Sequence, residues 1–373
     1  MSAFSFPLIL LALCSSPPDG PQAGKAAPTP PLLRPFGTMT EPRASHTATL
    51  LPDGRVLITG GFRKEHGGDN ESYSSTAELF DPRTKKFGYT GEMSYTRAGH
   101  TATLLSGGGL ILIAGGWNLM GVLSSAELYD PASEKFTTIG SMNMRRGGCT
   151  ATLLNDGRVL ICGGTGRDVT ASAELYDPVR KSFAMPGSMT VPRHSHTATL
   201  LPGGRVLVAG GLSRRNAVLA SAEVYDPGTG TFGGVGDMAE ARCKQAAVGL
   251  STGEVLILGG TDETAWRGNL ALIERYDIGG GKFTRIPDMK RPRARFGMAV
   301  APLPDGSLVV AGGDRAIELL NSAGGEAEPS IIASLERPYS SSTATTLYTG
   351  SVLILGGYDE TGETTDRAWL FRK

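Results

Sequence analysis

The sequence predicts an all-β protein built from seven copies of one four-stranded unit. A Gly-Gly pair returns seven times at intervals of 44 to 55 residues, and the residues around each pair repeat as well. Several short apolar runs fall within each interval, which indicates one supersecondary element copied along the chain. The glycine pairs begin at Gly60, Gly115, Gly163, Gly210, Gly259, Gly312 and Gly356.

The composition agrees with a turn-rich β protein. Of the 373 residues, 52 are glycine and 23 are proline, and 40% of the chain is apolar, which argues against a disordered protein. Lysine and arginine together number 36, as do aspartate and glutamate, so the formal net charge is zero. Nucleic-acid-binding proteins normally carry a basic excess, and we therefore expect no nucleic-acid partner.

The strands of a unit follow from its residue pattern, as the first unit illustrates. Residues 46–51 alternate polar and apolar side chains, as a half-buried strand does, and a Pro-Asp-Gly turn follows. The second strand, 55–59, ends at the glycine pair. A variable loop then leads to a third strand at 76–80, which an Asp-Pro pair stops, and the fourth strand covers 87–93.

This pattern resembles the kelch repeat, which has a glycine pair after the second strand, a Glu-x-Tyr-Asp third strand and an aromatic residue in the fourth. The resemblance covers about residues 32–373. Kelch repeats form β-propellers with one four-stranded blade per repeat, so the resemblance implies a seven-bladed propeller. The last unit lacks a fourth strand, and residues 33–39 match the fourth-strand pattern. We expect this N-terminal strand to close the seventh blade.

The N-terminal residues have a different character from the repeats. An apolar run has the length of a signal-peptide core, and the residues up to Cys14 resemble the lipobox of bacterial lipoproteins. We predict a signal peptide or lipoprotein signal at 1–14, a Pro/Ala-rich linker at 15–31 and the propeller at 32–373. The protein is then exported to the periplasm, the outer membrane or the extracellular space, with or without a lipid anchor at Cys14. No other segment is expected to cross a membrane.

One arginine precedes the first strand of every unit, and these arginines are the main candidates for ligand binding. In kelch propellers, ligands commonly dock on the face that carries the loops after Gly-Gly, and arginine holds carboxylate or phosphate groups in a bidentate fork. The alternative is an internal ion pair, because six units carry a glutamate on the third strand that an arginine can reach across the glycine pair. The seventh unit has Trp369 instead, which makes Arg337 the best single candidate for an anion. The arginines are Arg43, Arg97, Arg146, Arg193, Arg242, Arg293 and Arg337, and the glutamates are Glu78, Glu127, Glu174, Glu223, Glu274 and Glu318.

The loops after the glycine pairs differ most between units, and we expect specificity to lie there. Aromatic rings beside arginine can stack on a sugar face or anchor a peptide, or they can simply cover loop backbone. The candidate loop residues are Tyr73, Trp117, Trp266 and Arg267.

A second set of residues lies three positions after the arginines. We expect its histidines to bond to neighbouring backbone and to bind no metal, because no carboxylate recurs at this position. The set is His46, His100, Cys149, His196, Gln245, Phe296 and Ser340.

The strands also look like those of the galactose-oxidase and glyoxal-oxidase propellers, in which a Tyr-His pair binds copper. The residues before the three histidines are Ser45, Gly99 and Ser195, and Tyr339 is followed by Ser340. The copper ligands are therefore not assembled, so a copper-radical sugar oxidase is a less favoured alternative function and no cofactor is expected.

The most favoured function is a monomeric binding module that recognises a protein or a glycan on the loop face, with no catalytic residue assigned. The alternative is an enzyme similar to the periplasmic kelch-type sialic-acid mutarotases, which would need a carboxylate clamp and an acid/base pair at the funnel. A purely structural module of a cell-surface assembly is the third hypothesis.

Overall fold

A computed structural model of the chain describes residues 32–64, 71–262, 268–321 and 328–373. Leu32–Lys373 forms one compact unit, which contains seven four-stranded antiparallel sheets. These sheets are blades one to seven of a β-propeller, numbered in chain order, and each contains one glycine pair. The prediction of an all-β, seven-bladed propeller is confirmed. Residues 1–31 lie outside the described residues, so the signal segment and the linker stay predictions.

The strands of each blade run from the innermost to the outermost in chain order, except that the fourth strand of blade seven comes from the N-terminal end. Blade one contains Thr47–Leu50, Val56–Thr59, Thr76–Asp81 and Lys86–Glu92. Blade two contains Thr101–Leu104, Ile111–Ala114, Ala126–Asp130 and Lys135–Thr138. Blade three contains Thr150–Leu153, Val159–Cys162, Ala173–Asp177 and Ser182–Ala184. Blade four contains Thr197–Leu200, Val206–Ala209, Ala222–Asp226 and Thr231–Gly234.

The remaining blades follow the same order. Blade five contains Ala246–Gly249, Val255–Leu258, Ile273–Asp277 and Lys282–Ile286. Blade six contains Val300–Pro302, Leu308–Val310, Ala316–Leu320 and Ser330–Ser334. Blade seven contains Thr343–Thr346, Val352–Leu355, Arg367–Phe371 and Leu33–Thr38. Small hairpins, Phe62–Lys64 with Glu71–Tyr73 and Trp117–Asn118 with Gly121–Val122, and a 3₁₀ turn at Arg214–Asn216 lie in the loops after the glycine pairs.

The core of the molecule lies between neighbouring blades. The second strand of every blade is buried along its whole length, which explains why its residues are almost all apolar. One cluster, for example, joins Leu112 of blade two to Val159 and Tyr176 of blade three. The aromatic residues of the third and fourth strands pack on each other in blades one to five, with ring centroids 4.7 to 5.0 Å apart.

The ring closes through the N-terminal strand, as predicted. Leu33–Thr38 pairs in antiparallel fashion with Arg367–Phe371. The Phe36 ring also meets Phe80 of blade one edge-on, with centroids 5.6 Å apart. The first strands of neighbouring blades contact one another around the complete circle, including blade seven with blade one. Both ends of the described chain are therefore held in one blade.

Candidate functional site

Six of the seven candidate arginines lie inside the blades. Each is completely buried and forms an ion pair with the third-strand glutamate of its own blade, at nitrogen–oxygen distances of 2.5 to 3.0 Å. Each also donates to the carbonyl oxygen of the first glycine of its pair, at 2.7 to 3.2 Å. The internal ion pair is confirmed. These side chains have no exposed surface that a ligand could contact, so the structure lends their ligand-binding role no support and that role stays a prediction. The six are Arg43, Arg97, Arg146, Arg193, Arg242 and Arg293.

The glutamates of these pairs also hold the segments that enter the blades. Each carboxylate accepts a backbone N–H from the segment just before its arginine, at 2.6 to 2.9 Å. The charge of every buried carboxylate is thus balanced by a guanidinium and further satisfied by backbone donors. Since this network joins the connection from one blade to the third strand of the next, it has a structural role.

Blade seven replaces the ion pair with an aromatic pair, and this corrects the sequence alignment. The Tyr339 ring packs on Trp369 with centroids 4.9 Å apart, and the Trp369 indole N–H donates to Glu336 at 3.1 Å. Tyr339 therefore occupies the arginine position. Arg337 lies two residues earlier, is 53% exposed and pairs with Asp359 at 3.1 Å.

The same shift moves the histidine position of blade seven from Ser340 to Ser342. A Cβ on Gly312 would meet the Ser342 hydroxyl, just as a Cβ on Gly60 would meet the His100 ring. Arg337 and Ser340, the residues predicted for the arginine and histidine positions of blade seven, each lie two residues before the position that the structure assigns. Tyr339 therefore lies three residues before the histidine position of blade seven and does not correspond to the tyrosine of a Tyr-His pair.

The three histidines of this position join neighbouring blades through threonine hydroxyl groups. His46 Nε2 lies 3.1 Å from Thr343 Oγ1, and His100 Nε2 lies 2.8 Å from Thr59 Oγ1. His196 Nε2 lies 3.0 Å from the hydroxyl of a blade-three threonine. These contacts reach hydroxyl groups across the blade boundary, and His46 in addition bonds to the backbone of Arg43. Burial, reinforced by the nearby arginine charge, lowers the pKa of His46 and of His196 to about 3, so both rings are neutral at physiological pH.

A ring of left-handed residues surrounds the mouth of the central channel. One residue per blade, two positions after the arginine position, has φ between 53° and 61°. Six backbone hydrogen bonds of 2.8 to 3.1 Å connect these residues from blade to blade. Left-handed non-glycine residues are uncommon and concentrate at functional positions. The ring consists of Ser45, Gly99, Gly148, Ser195, Lys244, Arg295 and Ser341.

A cavity of about 690 Å³ opens at this ring, and all seven ring residues line it. Its cationic side is formed by Lys244 of blade five and Arg295 of blade six. Its aromatic side is formed by Phe62, Trp117 and Tyr358, each the first residue after the glycine pair in blades one, two and seven. Those three blades are consecutive around the ring, and the sector that they form also carries the charged residues Lys64, Asp359 and Glu360.

The Trp117 ring packs directly against three glycines. A Cβ on Gly99 or Gly147 would come within 2.2 Å of the indole ring, and one on Gly148 within 3.1 Å, so glycine is required for this close approach. The structure thus places the predicted candidate Trp117 in the cavity wall. The Tyr73 ring packs against the Phe62 ring with centroids 4.7 Å apart and the ring planes tilted by 46°. The other two loop candidates, Trp266 and Arg267, lie outside the described residues.

The two cations of the cavity are partly buried side by side. Burial, followed by the positive charge of Arg295, lowers the pKa of Lys244 to about 8. Burial also lowers the pKa of Arg295 to about 10. An anion between them would offset both effects, because an opposite charge favours the protonated forms. Asp359, which Arg337 holds, and Glu360 line the cavity from blade seven.

Blade six shapes the cavity in two further ways. Its first strand begins only at Val300, after an inserted turn that leaves Met298 48% exposed in the cavity wall. Asp314 and Arg315 alone separate its glycine pair from its third strand, so this blade has the shortest loop at the rim. Four residues of the cavity are not among those predicted from the sequence: Lys244, Arg295, Met298 and Tyr358.

Comparison with known proteins identifies the repeat and the fold. The kelch motif matches residues 98–143 and 242–290. No curated protein sequence matches the chain significantly. A solved structure of a fungal alcohol oxidase of the AA5 family, in complex with copper, is similar with a TM-score of 0.74 and 18% sequence identity; the match covers 91% of this chain and 76% of that one. At this identity the likeness concerns the fold alone.

The residues described here do not fit a copper centre. Copper sites need imidazole, thiolate or carboxylate ligands that converge on one point. His46, His100 and His196 instead bond to threonines of neighbouring blades. His194 Nδ1 lies 3.1 Å from the Ser195 hydroxyl. Within the described ranges, no group of three or more His, Cys, Asp and Glu side chains is placed to hold a metal ion. The same part of the chain has no helix long and apolar enough to cross a membrane.

Proposed function

Because the chain is a seven-bladed β-propeller of the kelch type, we propose that it is a binding module whose loop-face cavity takes an acidic sugar unit of a glycan. The observation that carries the proposal is the adjacent pair Lys244 and Arg295, which faces the same cavity as the Trp117 ring. Adjacent cations favour a carboxylate. An aromatic face favours the apolar face of a sugar ring.

The shape and chemistry of the cavity support a small polar ligand. Its volume of about 690 Å³ lies within the ~300–1,000 Å³ typical of small-molecule sites. Hydroxyl groups of Ser45, Ser195 and Ser341 line it at the ring and suit the hydroxyl groups of a sugar. The predicted export of the protein remains a proposal. Export would bring the module into contact with envelope or extracellular glycans.

A protein partner is the second candidate, and one specific feature favours it. Leu119 and Met120, at the tip of the blade-two hairpin, are 80% and 91% exposed. Exposed apolar side chains at the tip of a loop are typical of protein interaction sites. A peptide carrying acidic residues would use both the hairpin tip and the cationic side of the cavity.

Calorimetric titration of the purified chain with trigalacturonate, maltotriose and tetraglutamate tests the proposal. We expect trigalacturonate to bind and neutral maltotriose to bind at least about tenfold more weakly, since one charge-assisted contact accounts for about that factor. The double substitution Lys244→Gln with Arg295→Gln should reduce trigalacturonate affinity by about tenfold or more. The matched control, Lys282→Gln with Arg285→Gln on the exposed outer strand of blade five, should leave it unchanged.

Three results would contradict the proposal. Equal binding of maltotriose would remove the role of the cations, and equal weakening by the control would reduce the effect to net charge. Binding of tetraglutamate without trigalacturonate would favour the protein partner. Mutarotation of a bound sialic acid, followed by NMR, would add catalysis to the binding role.

A further inference from the structure

A second concave site lies on the loop face between blades three and four. Its cavity of about 660 Å³ is lined by arginines from three separate segments, namely Arg145, Arg167 and Arg214. We propose that this arginine cleft binds the anionic groups of a polyanionic polysaccharide. The choice of a glycan rests on the proposed function, whereas the anion-binding chemistry rests on the cleft itself.

Close backbone packing brings the arginines together. A Cβ on Gly166 would lie 2.7 Å from the Arg145 carbonyl oxygen, so glycine lets the blade-three loop lie directly on the segment that carries Arg145. Arg167 follows in the same loop. Arg214 begins the 3₁₀ turn of blade four, in which Arg215 and Asn216 both have left-handed backbone, with φ of 57° and 58°.

Positive charge predominates in the arginine cleft. Asp168 is the one carboxylate among the described residues that line it, and it faces Arg214 at 3.4 Å with both side chains 66% exposed. Such an exposed pair contributes little to stability. Three guanidinium groups against one carboxylate leave a net positive cleft in a chain whose formal net charge is zero.

The arginine cleft adjoins the cavity at the channel mouth. Arg145 is followed, after the buried Arg146, by Gly147 and Gly148, on which the Trp117 ring lies. A glycan chain with one acidic unit on Trp117 would therefore continue towards Arg145. Arginine suits both sulfate and carboxylate groups because its donors form a planar fork.

Binding of polymers to the full chain tests this inference. The probes are dextran sulfate and polygalacturonate, with neutral dextran as control and galacturonate monomer as the probe of the channel cavity. We expect the triple substitution R145Q/R167Q/R214Q to reduce polymer affinity by about tenfold or more and to weaken its salt dependence, because fewer counterions are released. Galacturonate binding should be unchanged.

The control variant carries the same charge change elsewhere. Arg83, Arg180 and Arg285 are 76%, 80% and 64% exposed, and each pairs with a nearby aspartate, so R83Q/R180Q/R285Q should affect polymer binding less than about twofold. Melting temperatures of all variants establish that they fold. A preference for dextran sulfate identifies sulfate groups as the ligand, and a preference for polygalacturonate identifies carboxylates.

The outcomes separate the two proposals. Equal effects of the two triple variants, or none from the cleft variant, would overturn the arginine cleft while galacturonate binding could still support the channel cavity. Polymer binding that depends on the cleft, without any galacturonate binding, would support the cleft and overturn the channel cavity as a sugar site. If the unaltered chain binds neither polymer, the arginine cleft is not a polyanion site.

Discussion

Removing one buried arginine should destabilise the propeller far more than removing an exposed one. In blade three, Arg146 donates to Glu174 at 3.0 Å, to the Gly163 and Ser172 carbonyls at 2.7 and 2.9 Å, and to the Ser172 hydroxyl at 2.8 Å. Arg146→Met leaves Glu174 as a buried charge without its cation, and breaking such a pair costs about 3–5 kcal/mol. The two freed carbonyls lose hydrogen bonds as well.

Urea denaturation of a double-mutant cycle measures this effect. Arg146→Met and Glu174→Met should each cost about 3–5 kcal/mol, and the double variant should cost at least about 2 kcal/mol less than their sum, because no unpaired charge remains. The control is Arg180→Met, which breaks the 2.8 Å pair with Asp177 at a side chain that is 80% exposed; it should cost less than about 1 kcal/mol. A cost for Arg146→Met equal to that of the control, or strict additivity in the cycle, would refute the structural role.

Three other predictions concern pH, ring closure and ligand charge. Because the pKa values of His46 and His196 are lowered in the folded chain, these histidines take up protons at a higher pH in the unfolded chain than in the folded one. The free energy of unfolding therefore falls as pH falls from 6.5 towards 3. At pH 5 each ring contributes a loss of about 2 kcal/mol, which His46→Gln with His196→Gln should remove in denaturation curves at pH 7 and 5. Phe36→Ala, which removes the contact with Phe80, should lower the free energy of unfolding in urea by about 2 kcal/mol. This is less than the about 3–5 kcal/mol for a fully buried phenylalanine, because Phe36 is partly buried. An unchanged unfolding midpoint would contradict its role in closing the ring of blades. Affinity for trigalacturonate should decline in calorimetry as pH rises from 7 to 9, because Lys244 loses its proton near pH 8; a flat profile, or the same decline in Lys244→Arg, would count against it.

The fold was predictable because its determinants are local and repeated. The glycine pairs and the aromatic residues of the third and fourth strands recur along the sequence. The missing fourth strand of the last unit is recognisable by comparison with the other units. The ion pairs were predictable for the same reason, since an arginine and a glutamate equivalent to Arg43 and Glu78 occur together in six blades. Blade seven departs from the repeat because Tyr339 and Trp369 replace both charges, and Arg337, the nearest arginine in the sequence, lies two residues before the matching position.

The site was harder to predict because it depends on where the repeat varies. The position of Lys244 and Arg295 is Ser or Gly in the other five blades, and a cation at a left-handed position facing the channel is the signal that could have identified them. Met298 enters through an insertion that shifts the first strand of blade six. The meeting of Trp117 with glycines of two blades depends on tertiary packing, which the pattern of a single repeat does not contain.

The most direct test of the cavity as the ligand site is a crystal structure of the protein with trigalacturonate at a saturating concentration. We predict sugar density against the Trp117 ring, with a carboxylate oxygen within about 3 Å of Lys244 Nζ or the Arg295 guanidinium. Density for the sugar on the outer strands, with the channel cavity empty, would contradict the account.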